Sequence, residues 1–116
     1  MEPIFDRNGR AVGWLNDGIV HEPSGRARAF VDNGAVISYR AQHLGWLDRG
    51  YFRDRSGDAV AFVPGASAGP LPPVTAVPPV PPVLSPPPVS PAPSVGAAPP
   101  VPSLRWSSRD WEHYLG

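Results

Sequence analysis

Apolar and polar positions recur along the first half of the chain in blocks of sixteen residues. Each block opens on an apolar run centred on Ile4, Val20, Val36 or Phe52 and then turns polar at Asp6, Glu22, Ser38 or Asp54. A second apolar run follows: Gly13-Trp14-Leu15, Ala29-Phe30-Val31, Gly45-Trp46-Leu47 and Ala61-Phe62-Val63. Glycines punctuate the blocks. Gly9, Gly25 and Gly57 sit in phase inside the units, with Ala41 in the remaining slot. Gly18, Gly34 and Gly50 lie between units, and Gly65 ends the last one residue early. The units are residues 3–18, 19–34, 35–50 and 51–65.

Short runs rich in Val, Ile, Phe, Trp and Tyr between Asn-Gly, Ser-Gly and Asp-Gly pairs predict β-hairpins. Asn8-Gly9, Ser24-Gly25 and Ser56-Gly57 read as two-residue inner turns, with Asp17-Gly18 and Asn33-Gly34 doing the same between units. Arg40-Ala41-Gln42 lacks the glycine, so a longer or more irregular third turn is expected. The fold class that follows is all-β: four tandem hairpins, eight short antiparallel strands, around a pseudo-four-fold axis. Side chains alternate across a strand. Trp14, Phe30, Trp46 and Phe62 therefore share one face, and the small residues before them share the other with Leu15, Val31, Leu47 and Val63. The small residues predict close backbone approach near the axis. Gly-Trp-Leu units alternate with Ala-Phe-Val units, which adds a pseudo-two-fold.

Beyond the repeats the pattern changes. Residues 66–102 form a Pro/Val-rich arm, and residues 71–104 keep a period of three. Leu71, Val74, Val77, Val80, Val83, Val89, Val95, Val101 and Leu104 keep the phase, with Ala92 and Ala98, and Pro86 interrupts it. Polyproline II has three residues per turn and rises ~3.1 Å per residue, so a straight arm would carry an aliphatic stripe ~105 Å long. The repeat domain should be only ~27 Å across. A straight arm cannot lie along it, which leaves a semi-rigid spacer or a recognition surface for a partner.

Residues 103–116 return to charge and aromatic side chains. Ser107 is the predicted cap of a short helix, with Asp110 three residues on. Trp111 shares a face with Tyr114 and Leu115. So short a helix needs packing to persist, and Trp106 and Trp111 are costly to leave in water. Docking of Trp106, Trp111, Tyr114 and Leu115 on the repeat domain or on another copy is expected.

Composition sharpens this division. All ten Arg and all ten acidic residues fall in 1–58 or 105–116, and fifteen of eighteen prolines fall in 70–102. Zero net charge gives no broad electrostatic footprint for nucleic acid or for a membrane surface. Met1-Glu2-Pro3 opens acidic with no apolar run behind it, so a cytoplasmic protein without a leader is expected.

The stretch Phe5-Asp6-Arg7-Asn8-Gly9-Arg10-Ala11-Val12-Gly13-Trp14-Leu15, its three echoes, the Pro/Val arm and the Trp-Ser…Trp-Glu tail together resemble the bacterial four-fold β-flower domain family. The resemblance covers nearly the whole chain. It implies four hairpins set as petals around an axis, and it implies no catalytic residues.

Candidate chemistry is sparse. The chain has no cysteine and no lysine. His21, His43 and His113 occupy non-equivalent positions and read as surface or strand-edge residues. Asp6, Glu22 and Asp54 are repeat-equivalent, so symmetry can gather them into an acidic ring; acids beside such turns also serve the turn backbone itself. Trp14, Phe30, Trp46 and Phe62 form either a core or an exposed aromatic ring. No catalytic or metal site and no cofactor is expected. The leading expectation is a non-enzymatic interaction or scaffold module, with a protein partner or self-association through arm and tail. The alternative is a small-ligand or carbohydrate-binding module using an aromatic and acidic end of the flower.

Overall fold

Each sixteen-residue unit folds as one hairpin, and consecutive hairpins pair edge to edge. The computed structural model describes residues 1–91 and 99–116. Its strands are β1 (Glu2–Asp6), β2 (Ala11–Asn16), β3 (Ile19–His21), β4 (Ala27–Asp32), β5 (Ala35–Ser38), β6 (His43–Asp48), β7 (Tyr51–Arg53) and β8 (Ala59–Phe62), followed by one helix, α1 (Trp111–Leu115). Neighbours pair antiparallel in sequence order, and β8 returns to β1, closing a barrel. Closure reuses the contact between units: Trp14 faces His21, Phe30 faces Ile37, Trp46 faces Arg53, and Phe62 faces Phe5. The last pair is thus the fourth copy of a contact the repeat has already made three times, and no sheet edge is left open.

The inner turns correct the expected two-residue form. The Gly9 N–H donates to the Asp6 carbonyl at 3.0 Å, and the Asp6 N–H donates to the Arg10 carbonyl at 2.9 Å. This is a three-residue loop, a type I turn with a left-handed residue at the bulge. Only the bulge position needs positive φ, +79° at Gly9. The two-residue type, with both residues left-handed, occurs between units at Asp17-Gly18, Asn33-Gly34 and Arg49-Gly50. The third inner turn also departs from expectation, because it is neither longer nor irregular. Ala41 takes φ +63° and keeps the same pair of bonds, Ala41 N–H to Ser38 carbonyl and Ser38 N–H to Gln42 carbonyl, both 2.9 Å. The flanking strands hold a residue where it would not go alone. Left-handed φ costs a residue with a Cβ about 1–2 kcal/mol. Ala41→Gly is therefore expected to stabilise the protein by about 1 kcal/mol, read as a raised urea midpoint at constant slope.

One residue per unit is extra in the pairing. The register shifts between Ile4 and Phe5, Val20 and His21, Val36 and Ile37, and Phe52 and Arg53. The unpaired residues opposite are Val12, Arg28, Leu44 and Val60. The bulge turns Val12, Leu44 and Val60 toward the barrel interior, where they join the core. Ile4, Val20, Val36 and Phe52 lie at its centre, fully buried. Ala29, Ala61 and Val63 complete the packing, with Leu15, Val31 and Leu47 beside them.

The tail caps this core. Trp111, Tyr114 and Leu115 are buried in the same cluster. The Trp111 ring stands edge-on to Phe52, centroids 5.1 Å apart, and stacks on Tyr114 at 5.6 Å. The Tyr114 hydroxyl donates to the Arg53 carbonyl at 3.0 Å. Burial, with the Asp54 charge, pushes that phenol far above its ordinary range, so it stays a neutral donor. The helix cap differs from the expected Ser107. Asp110 is the cap, accepting from the His113 N–H at 2.8 Å. Ser107 is occupied elsewhere: its hydroxyl donates to Asp54, and its N–H donates to the Ala59 carbonyl at 2.7 Å.

Candidate interaction surface

The acidic positions serve the turns they stand beside. Asp6 Oδ1 accepts from the Asn8 and Arg10 N–H groups at 2.9 and 3.0 Å. Asp54 Oδ1 accepts from the Ser56 and Asp58 N–H groups at 2.9 and 3.1 Å. Ser38 Oγ takes the same place in unit three, accepting from Arg40 and Gln42. Glu22 reaches past its turn to Arg28, 2.7 Å away, and this hydrogen bond holds its carboxyl below the usual range. Each acid thus stays on its own petal, and among the described residues no three or more His, Asp or Glu side chains gather as a metal site would need.

The four aromatics sit between petals on the outer side of the strands. Trp14, Phe30 and Phe62 are buried, and Trp46 is half-buried. Phe30 packs on Tyr39, Trp46 on the His43 ring and Phe62 on Phe5 and Trp106. The histidines differ in setting: His21 is buried, His43 half-buried and His113 exposed. His21 Nδ1 is 2.9 Å from the Gly25 carbonyl, and His113 pairs with Asp110. Burial first, and then Arg55, lowers the pKa of His43.

The proline-rich segment departs most from expectation. A straight ~105 Å rod does not fit a molecule measuring 36 × 35 × 21 Å. The segment instead passes the tips of units one, two and four in order. The Ala76 N–H donates to the Gly9 carbonyl at 2.9 Å, Ser85 to Gly25 at 3.0 Å, and Ser103 to Gly57 at 3.1 Å. Beside each bond a carbonyl lies against the turn glycine. A Cβ on Gly9, Gly25 or Gly57 would stand 2.2, 2.4 or 2.4 Å from the carbonyl oxygen of Val74, Val83 or Val101. Glycine is thus required twice there, for φ and for this approach.

These contacts reveal a spacing that the three-residue phase conceals. Val83 follows Val74 by nine residues and Val101 follows Val83 by eighteen, while the hairpin tips step by sixteen and thirty-two. Nine residues of segment therefore span one petal. Pro73, Pro82, Pro91 and Pro100, also nine apart, are the half-buried prolines facing the barrel. The aliphatic stripe faces away. Val74, Val77, Val80, Val83, Val89 and Val101 are 87–95% exposed, and Leu71 and Leu104 are exposed beside them. Val95 lies outside the described residues.

Both ends of the segment fasten to unit four. The Tyr51 hydroxyl donates to the Pro70 carbonyl, and Gly69 lies flat against the Tyr51 ring. At the far end the Ala59 N–H donates to the Arg105 carbonyl at 3.0 Å, and Trp106 packs on Tyr51 and Phe62. Arg53, 2% exposed, joins the ends. Its guanidinium donates to the Ala68 carbonyl at 2.9 Å, the Ser103 carbonyl at 2.8 Å and its own turn's Gly57 carbonyl at 2.7 Å. Sequence reasoning missed Arg53. Its signal was a charge in the slot that holds Phe5, His21 and Ile37 in the other units.

No helix among the described residues is long and apolar enough to cross a membrane. Searches of curated proteins and of solved structures return no match. A family model, described as 4-fold beta flower protein, matches residues 2–115. That span takes in the four petals, the proline-rich segment and the capping tail, and the chain belongs to the 4-fold beta flower protein family.

Proposed function

We propose that the protein is a non-enzymatic interaction module that presents an apolar proline-rich ridge to a protein partner. The observation that carries this reading is the outward valine stripe on a backbone pinned at three hairpin tips. Exposed aliphatic side chains gathered along one face mark interaction surfaces on soluble folds. A proline-rich strand already held in place has little conformational entropy left to lose on binding. The groups that chemistry would need are engaged in holding the fold: Asp6 and Asp54 on turn amides, Tyr114 on the Arg53 carbonyl, His21 on the Gly25 carbonyl. The ligand-cage alternative draws less support, because three of its four aromatics are buried.

The ridge is convex. Two convex rims of a molecule only 21 Å thick meet over far less than the ~800 Å² per partner of a stable interface. A groove that straddles the ridge fits better than a second copy meeting it edge to edge. A photoreactive side chain introduced at Val80 in the source cells is expected to form a discrete protein adduct. Val77→Ser with Val83→Ser should remove the adduct and leave the unfolding midpoint unchanged, since both side chains are in solvent. No adduct at Val80, or an equal one from a photoreactive side chain at Asn33 between units, would overturn the reading.

A further inference from the structure

We propose that the hairpin tips form a binding track for proline-rich strands, filled in this chain by its own segment and open to the same segment of a second copy. The track is a property of the barrel's tips, separate from whatever the outer ridge engages. Its contacts repeat at Gly9, Gly25 and Gly57 with the same three parts. The turn glycine's carbonyl accepts an N–H from the strand. The strand's carbonyl, two residues earlier, lies where a Cβ would be. A proline one residue before that is half-buried against the barrel. The ligand class follows from these parts: strands with a proline every nine residues and, three residues after each, a residue other than proline that gives its N–H.

Every one of these bonds is backbone to backbone, so the track reads spacing and donor position. It does not distinguish its own strand from an identical one. What favours the chain's own strand is tethering, which raises its effective concentration, together with the latch at Arg53. That one guanidinium holds Ala68 before the first site and Ser103 at the last. It stands over the Tyr51 ring, 5.5 Å from its centroid, with the Asp48 carboxylate 3.7 Å from Nε. Because the steps are alike, a strand has several registers open to it. Arg53 fixes one by fastening both ends at once.

The test compares the full chain with Arg53→Met, using amide hydrogen exchange and a fluorescein-labelled peptide of residues 72–86. In the variant the Ala76, Ser85 and Ser103 amides are expected to exchange at least tenfold faster, while the barrel amides of Val20 and Val36 keep their wild-type rates. The peptide is expected to bind the variant at least tenfold more tightly than the wild type. A control peptide with proline at positions 76 and 85, which lacks the donating N–H groups, should bind neither. Unchanged exchange at the three amides, equal peptide binding to both proteins, or binding of the control peptide would overturn the proposal. If Arg53→Met loses its near-ultraviolet circular dichroism, Arg53→Lys serves with the same readouts. It keeps the charge but cannot span three carbonyls.

Discussion

Trp111→Ala is expected to destabilise the protein by about 3–5 kcal/mol, the range for removing a buried aromatic side chain. The ring is 4% exposed, stands edge-on to Phe52 at the barrel centre and stacks on Tyr114. An aromatic in such a place buries about 150–250 Å². The α1 helix has five residues, too few to hold together without packing, so the loss spreads. Without the indole, Tyr114 has no stack, and its donation to the Arg53 carbonyl is left to solvent competition. A protein of this size has only about 5–15 kcal/mol in hand, and the barrel holds only half the chain. Urea unfolding followed by far-ultraviolet circular dichroism measures the effect. A loss below about 1 kcal/mol would mean that the helix lies on the barrel without completing its core. Trp106→Ala is the internal comparison. Trp106 is half-buried on the other side of the strands, and its removal should cost clearly less.

The difference between these two tryptophans shows where the sequence could be read and where it could not. The four units, their glycine slots and the alternating Trp and Phe faces were legible because periodicity is a local signal. Closure was implicit in the same signal, since the Phe5–Phe62 pair only completes a contact seen at Trp14–His21. The inner turn type was not legible, because a two-residue and a three-residue loop both place glycine after Asn or Ser. Only the bond from Asp6 N–H to the Arg10 carbonyl separates them. The cap of α1 was misplaced for a related reason. Ser107 and Asp110 are both good caps in isolation, and Asp54, more than fifty residues away in sequence, claims the serine.

The course of the proline-rich segment was hidden by its own regularity. Every nine-residue step is also three steps of three, so the valine phase masked the longer period. The contacts that matter use backbone groups. Their trace in the sequence is negative: positions 76, 85 and 103 are Ala, Ser and Ser in a stretch otherwise dense with proline. The valines carry the hydrophobic signal of the segment, yet they face solvent. Had the segment been placed by side-chain hydrophobicity alone, its inner and outer faces would have been exchanged.

The repeat also invites a substitution that the structure forbids. Gly45 occupies the slot that holds Ala29 and Ala61 in alternate units, both fully buried without strain. By pattern, Gly45→Ala should be harmless or mildly stabilising, since glycine in a strand costs about 0.5–1 kcal/mol relative to alanine. By geometry, the new Cβ would stand 1.9 Å from the Arg53 carbonyl oxygen and 2.7 Å from the Tyr114 hydroxyl. One of these atoms is backbone and cannot swing aside. The other donates to the first, so moving β7 to make room breaks the bond that anchors α1. Overpacking of about 1–3 kcal/mol then adds to the loss of a buried hydrogen bond at about 1–3 kcal/mol when a partner is left unsatisfied. We expect Gly45→Ala to cost about 3 kcal/mol and to loosen the tail, seen as faster exchange of the Tyr114 amide. Gly13→Ala, the same change in the other Gly-Trp-Leu unit, puts its Cβ 2.5 Å from the His21 carbonyl oxygen with no tyrosine hydroxyl beside it, so it should cost only the low end of that overpacking range, about 1 kcal/mol. The two variants together separate four equivalent petals from four petals of which one has been shaped to receive the helix. Equal losses would favour equivalence. A Gly45→Ala loss several times larger would show that the third petal carries the seat of the tail.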